Sequence, residues 1–194
     1  QKRMTDEGLA NSHELQSYFI QRIENYVQSK GKKIIGWDEI LEGGLAQNAT
    51  VQSWRGFEGA AQAAKTGHDA IVSPTSHAYF DYGLEAIDLK KVYEFDPVPD
   101  GLTPQEAHYI IGGECNMWTE RAPQSTIDSK VFPRLLALSE ILWTYPKERD
   151  YEAFYQKVQG HYKRLDQLGV DYGLETVPVQ YTTRYQNQQF KTTL

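Results

Sequence analysis

Four short, unbroken apolar runs set the architecture available to this chain. They are Lys33-Ile34-Ile35-Gly36-Trp37, Thr50-Val51-Gln52-Ser53-Trp54, Ala70-Ile71-Val72-Ser73 and the longer stretch from Tyr109 to Trp118. A continuous apolar run, rather than an alternating one, is the form a strand takes when both faces of its sheet are covered. Helical patterns lie between and around the runs. The spacing predicts a helix over 12–30, opened by Asn11 with Glu14 at the capping-box distance and stopped by Gly31, with Leu15, Phe19, Ile23, Tyr26 and Val27 on one apolar face. An Ala-rich helix is expected over 58–66, a short one near 89–93, a strongly apolar one over 133–142 and an amphipathic one over 151–168, ended by Gly169. Strands alternating with helices in this way form βα units on a parallel sheet. About four such units fill half of a TIM (β/α)8 barrel, which takes roughly 250 residues. The fold expected is therefore α/β, a half-barrel with a further C-terminal helix. The polar, Gln- and Thr-rich end of the chain is expected to fray or to give a lone edge strand around 177–181.

The chemistry gathers where the runs end. Gly36-Trp37-Asp38-Glu39, Ser53-Trp54-Arg55-Gly56, Tyr79-Phe80-Asp81-Tyr82 and Asn116-Met117-Trp118-Thr119-Glu120 each set an aromatic ring beside an acid or a base. One face of a pyranose presents C–H bonds that lie against an indole, and its rim presents hydroxyls that donate to carboxylates. Strand ends are also the catalytic rim of a βα barrel. A saccharide is the partner these strings point to.

Composition narrows the alternatives. A net charge of −6 with no basic stripe argues against a nucleic-acid backbone. No apolar stretch reaches membrane-spanning length, so no membrane partner is expected. The five histidines lack metal-ligand spacing, and Gly112-Gly113 is not followed by the Lys-Ser/Thr of a phosphate loop; no cofactor is expected. Cys115, alone in the chain, reads as a small buried hydrophobe. The abrupt opening Gln1-Lys2-Arg3 suggests a piece of something longer.

Taken in register, Gly31-Lys32-Lys33-Ile34-Ile35-Gly36-Trp37-Asp38-Glu39-Ile40, Ser53-Trp54-Arg55-Gly56, Tyr79-Phe80-Asp81-Tyr82, Asn116-Met117-Trp118-Thr119-Glu120 and Phe132-Pro133-Arg134-Leu135 closely resemble glycoside hydrolase family 20, the β-N-acetylhexosaminidases. The resemblance implies the C-terminal half of the catalytic barrel, strands five to eight with their helices over 1–172, followed by a polar tail over 173–194. It implies glycans carrying terminal N-acetylglucosamine or N-acetylgalactosamine as partners, and hydrolysis with retention, the sugar's own acetamido oxygen attacking its anomeric carbon. On that pattern Trp37 and Trp54 crowd the acetamido group, Tyr79 donates to its oxygen, Trp118 stacks under the ring, and Asp81 and Glu120 accept from the outer hydroxyls. A secreted, periplasmic or lysosomal setting is implied for the parent enzyme.

One departure is large. The family's general acid Glu and acetamide-orienting Asp lie together in a His-x-Gly-Gly-Asp-Glu string, and no such string occurs in this sequence. Asp38-Glu39 follows the tryptophan of the next strand and does not replace it. The expectation is an enzyme part that is inactive alone, completed by the N-terminal half of the barrel. A non-catalytic carbohydrate-binding fragment and a self-associating half-barrel remain the alternatives. Arg55 and Arg134 read equally well as structural ion-pair partners and receive no role.

Overall fold

A computed structural model describes residues 1–144, 148–177, 180–185 and 188–193. In chain order the elements are helices α1 (Lys2–Asp6) and α2 (Ser12–Ser29), strand β1 (Ile35–Trp37), a 3-10 turn (Asp38–Leu41), β2 (Thr50–Ser53), α3 (Glu58–Lys65), β3 (Ala70–Val72), α4 (Leu89–Tyr93), α5 (Pro104–Ala107), β4 (Ile110–Gly113), a second 3-10 turn (Gln124–Thr126), α6 (Ile127–Val131), α7 (Arg134–Thr144), α8 (Tyr151–Leu168), β5 (Gln180–Tyr185) and β6 (Gln188–Thr193). They fall into two compact units: Gln1–Tyr79 with Phe95–Asn116, and Phe80–Glu94 with Met117–Leu194.

The first unit holds the sheet. Its strands pair in sequence order, β1-β2-β3-β4, and every pairing is parallel. Consecutive parallel neighbours require a crossover between each pair, as the βα pattern predicts. α3 is the crossover whose packing is clearest. Ala60, Ala63 and Ala64 are buried on one side of it, and their methyl groups let the helix lie close over β2 and β3. Gly59 permits a still closer approach at the first turn, because a Cβ there would stand 2.8 Å from the Asp38 Cβ and 2.9 Å from the Ser53 Oγ. β4 stops at Gly113, well short of the run read from Tyr109 to Trp118, although an isolated parallel bridge between Tyr79 and Asn116 resumes the pairing beyond the strands.

Burial grades across this sheet. β2 is buried along its whole length, whereas Ile35 on β1 and Ile111 on β4 are 57% and 56% exposed. β1 and β4 are the edges of the sheet among the described residues. α2 begins where expected: the Asn11 side chain accepts the Glu14 N–H at 3.0 Å, and the Glu14 carboxylate reaches back to the N–H of Ala10 at 2.8 Å. Its orientation departs from the simple reading. Phe19, Ile23 and Tyr26 are 59%, 41% and 64% exposed, while the buried positions are Ser17 and Glu24. The Ser17 hydroxyl donates to the Glu42 carbonyl, and Glu24 accepts the Asn48 N–H at 2.7 Å. The packed stripe is thus a mixed one, Ser17 and Glu24 with the half-buried Ile20 and Val27, and Phe19, Ile23 and Tyr26 lie outside it.

The second unit is built of helices. α4 packs on α7, and Tyr93 stacks on Phe154 of α8 with ring centroids 4.6 Å apart. Its core includes Phe80, Ile87, Leu89, Val92, Leu138, Ile141 and Val158. After α8, Gly169 takes the left-handed conformation of a helix stop at φ 68°. The following stretch is stitched back to the helices. Glu175 accepts the hydroxyls of Tyr155 and Tyr162 and the amide of Gln159, and its carbonyl accepts the Leu89 N–H. Gly173 lies so close to α6 that a Cβ would meet the Ser129 carbonyl. The tail then pairs as an antiparallel ribbon, β5 with β6, where the sequence suggested one strand at most.

The Glu175 cluster carries a pH signature. Burial foremost, with the Glu175 carboxylate, holds the Tyr162 phenol well above its ordinary value, and burial with Glu175 nearby pushes Tyr151 up to about 12. The protonated phenol is therefore the form the fold favours. Its contribution is complete below the unfolded value of 10 and is lost as pH rises toward the folded value. The melting temperature is expected to fall between pH 10 and 12, with Tyr162→Phe flattening that fall. An unchanged slope in the variant would remove the cluster as its source.

Candidate active site

At the rim of the first unit, β1 and β2 end on their tryptophans. Trp37 is the last residue of β1, and Trp54 follows directly on β2. What sets Trp54 in place is Asp38, a carboxylate only 2% exposed. Asp38 Oδ2 accepts the N–H groups of Trp54 and Arg55 at 3.2 and 3.3 Å, and Oδ1 accepts the Arg55 Nε at 2.7 Å. Arg55 reaches on to Glu42 at 2.8 Å. A buried carboxylate that receives this many donors is satisfied and organises the turn. Asp38 is thus an anchor for the β2 rim, and Arg55 is its ion-pair partner.

The indole of Trp54 is held at its other end. Its Nε1 donates to both Glu39 oxygens, at 3.1 and 3.2 Å. The adjacent acids of Asp38-Glu39 thus hold one tryptophan by its backbone and by its ring. The Tyr79 ring stands beside that indole, centroids 6.2 Å apart and planes tilted by 35°. Tyr79 is buried, and its bridge partner Asn116 donates its N–H to the Ala78 carbonyl at 2.8 Å. Of the residues expected at the site, Trp37, Trp54 and Tyr79 therefore belong to one unit, with Trp54 and Tyr79 in ring contact. Below the rim, Gln52 on β2 donates to Ser73 at 3.2 Å and to Glu114 at 2.8 Å, a polar tie across the sheet that the sequence did not single out.

Asp81, Trp118 and Glu120 belong to the second unit. Trp118 is 44% exposed and Glu120 is exposed. Asp81 is 4% exposed, and its Oδ1 is a buried oxygen without a hydrogen-bond partner among the described residues. Most buried polar atoms are paired, which sets this oxygen apart within the second unit. The loop that carries Asp81 is anchored by residues the sequence left without a role. Arg134, 1% exposed, donates to the carbonyls of Phe80, Tyr82, Ile87 and Lys130, and Lys130 Nζ donates to the Asp81 carbonyl at 2.7 Å. Arg134 thus grips main-chain oxygens. The clue was available: an arginine opening the most apolar helix of the chain.

A wholly parallel βα sheet is the layer of a barrel-type α/β fold, and comparison with known proteins identifies the family. The chain belongs to glycosyl hydrolase family 20, whose catalytic-domain model matches residues 1–146. It is similar to a β-hexosaminidase of Porphyromonas gingivalis, 42% identical over 185 residues, which cover 89% of this chain and 24% of the relative. A β-N-acetylhexosaminidase of Cellulomonas fimi is 31% identical, over 84% of this chain and 36% of the relative. Among solved structures, the chitobiase of Flavobacterium johnsoniae superposes with a TM-score of 0.77 at 33% identity, over 88% of this chain and 27% of that one. The exo-β-N-acetylglucosaminidase of Vibrio harveyi, solved with N-acetylglucosamine, gives 0.80 at 28% identity, over 90% and 30%. The chain thus spans about a quarter to a third of the length of these relatives. Its four parallel βα units are part of a (β/α)8 barrel.

Proposed function

We propose that this chain supplies the strand-end half of the sugar pocket of a β-N-acetylhexosaminidase that acts by the retaining, substrate-assisted route. The observation that carries the reading is the Trp54–Tyr79 pair at the barrel rim of a family 20 chain. In this reading Trp37 and Trp54 crowd the acetamido group of a terminal N-acetylhexosamine, and the Tyr79 hydroxyl donates to its oxygen. That oxygen bonds to the anomeric carbon as the bond to the leaving oxygen breaks, and charge spreads over the resulting oxazolinium ring. The charge that develops is positive, so the Tyr79 donor contributes by holding the acetamido oxygen in line for attack. Trp118 stacks under the ring, and Asp81 and Glu120 accept from its outer hydroxyls.

Protonation of the leaving oxygen needs an acid that no His-x-Gly-Gly-Asp-Glu string supplies in these 194 residues. The 194-residue chain alone is expected to release no aryl alcohol from an aryl N-acetylglucosaminide. Measurable turnover by the chain alone would overturn the assignment of the acid to another segment. Calorimetry with N-acetylglucosamine then separates a half-pocket that still binds from one that does not.

The partner that completes the pocket is, in this proposal, the N-terminal half of the same barrel. Three features support it: the chain's share of its relatives' length, the exposed Ile35 and Ile111 on the outer strands, and the exposed Phe19, Ile23 and Tyr26 of α2. In a barrel the helices form an outer ring, each beside its neighbours. Mixing the chain with a separately produced N-terminal half-barrel of a relative is expected to give a one-to-one complex with hydrolytic activity. A stable homodimer that refuses the half-barrel would favour self-association instead.

A further inference from the structure

A carboxylate oxygen stays open to an incoming donor when its loop is held through the backbone rather than through that oxygen. Around Asp81 the division is sharp. The carbonyls of three successive residues, Phe80, Asp81 and Tyr82, are all taken by cationic side chains, Arg134 on the outer two and Lys130 on the middle one at 2.7 Å. The two cations are themselves linked, because Arg134 Nε and Nη2 donate to the Lys130 carbonyl at 2.8 and 2.6 Å. Arg134 also packs its guanidinium over the Phe80 ring, 4.8 Å from the centroid. Hydrogen bonds from ionised donors to carbonyls are the stronger kind and are directional. Within the same turn, Asp81 Oδ1 is buried and unpartnered among the described residues.

We infer that Lys130 and Arg134 act together as positioning residues for Asp81. They fix the loop backbone from the α6–α7 side so that a carboxylate oxygen stays buried yet open to a hydroxyl donor. This rests on the proposed function for the identity of the donor, an outer hydroxyl of a terminal N-acetylhexosamine; the mechanical claim about the loop stands apart from it. Lys130 is the informative member. Among the described residues its ammonium donates to the Asp81 carbonyl, and it is only half-buried, so replacing it leaves the core intact.

Two measurements test the inference. In a catalytic domain completed by the half that carries the acid pair, Lys130→Met is expected to raise KM about tenfold with kcat within about twofold. Loss of a contact made equally in the ground and transition states has that form. Lys130→Arg, which can still donate to the carbonyl, is expected to recover most of the affinity. A fall in kcat at constant KM, or no change at all, would overturn the positioning role, since a lower folded fraction reduces the apparent kcat alone. In the 194-residue chain, hydrogen exchange at the amides of Ala86 and Ile87, which donate to the Gly83 carbonyl, is expected to quicken about tenfold in Lys130→Met while α8 is unchanged. If the completed wild-type domain hydrolyses no N-acetylhexosaminide, the functional reading fails, and the exchange rates still decide the loop claim: equal rates in both proteins would sink it.

Discussion

Replacing Tyr79 by Phe in a completed catalytic domain is expected to lower kcat by roughly 10²-fold, the loss typical of a reacting group left misplaced for attack. The substitution removes a single oxygen. Tyr79 is buried with its ring beside Trp54, and Phe keeps that ring and its packing, so the melting temperature should stay close to wild type. KM should change less than kcat, because this hydrogen bond orients the acetamido oxygen for attack while the sugar's other contacts are untouched. A Phe variant within threefold of wild type would take Tyr79 out of the chemistry and return it to the core. The intact Trp54–Tyr79 contact would then be packing alone.

Asp38→Ala should show the opposite pattern, a large loss of stability. The carboxylate serves the N–H groups of Trp54 and Arg55 and the Arg55 guanidinium, and it lies against Gly59 at the start of α3. Its removal strands two backbone donors in a part-buried turn, at about 2–4 kcal/mol. For a chain of this size that corresponds to a drop of roughly 5–15 °C in melting temperature. Arg55 adds little to this, since its side chain is 46% exposed and water can solvate it once the acid is gone. Glu39→Gln is the matched control. A glutamine oxygen still accepts from the Trp54 indole, so stability should hold within about 1 kcal/mol. Equal melting temperatures for Asp38→Ala and the parent would show that the turn is set elsewhere.

How much of this was readable in the sequence depends on what kind of signal each residue sends. The strands and the longer helices were legible because continuous apolar runs and 3.6-residue periodicity are local. α8 and its Gly169 stop fall where the pattern puts them. The rim aromatics were legible as a set of strings. Which face of α2 packs was not: Phe19, Ile23 and Tyr26 form the obvious stripe, yet the buried residues are Ser17 and Glu24, chosen by acceptors and donors at Glu42 and Asn48 that only the folded chain brings near. The same holds for Asp38, Lys130 and Arg134. Their partners are main-chain atoms up to 54 positions away, and a backbone carbonyl leaves no mark in a sequence. The β5–β6 ribbon escaped for a different reason, since a Gln- and Thr-rich segment offers no apolar alternation to count.

The anchoring of the Asp81 turn has an evolutionary corollary. Arg134 and Lys130 recognise oxygens that every amino acid possesses, so the clamp is indifferent to which side chains stand at Tyr82 and Ile87. Mutation can alter what the turn displays to a ligand while its course through space is preserved. On the proposed reading of Asp81, substitutions here change sugar preference without a new way to hold the loop.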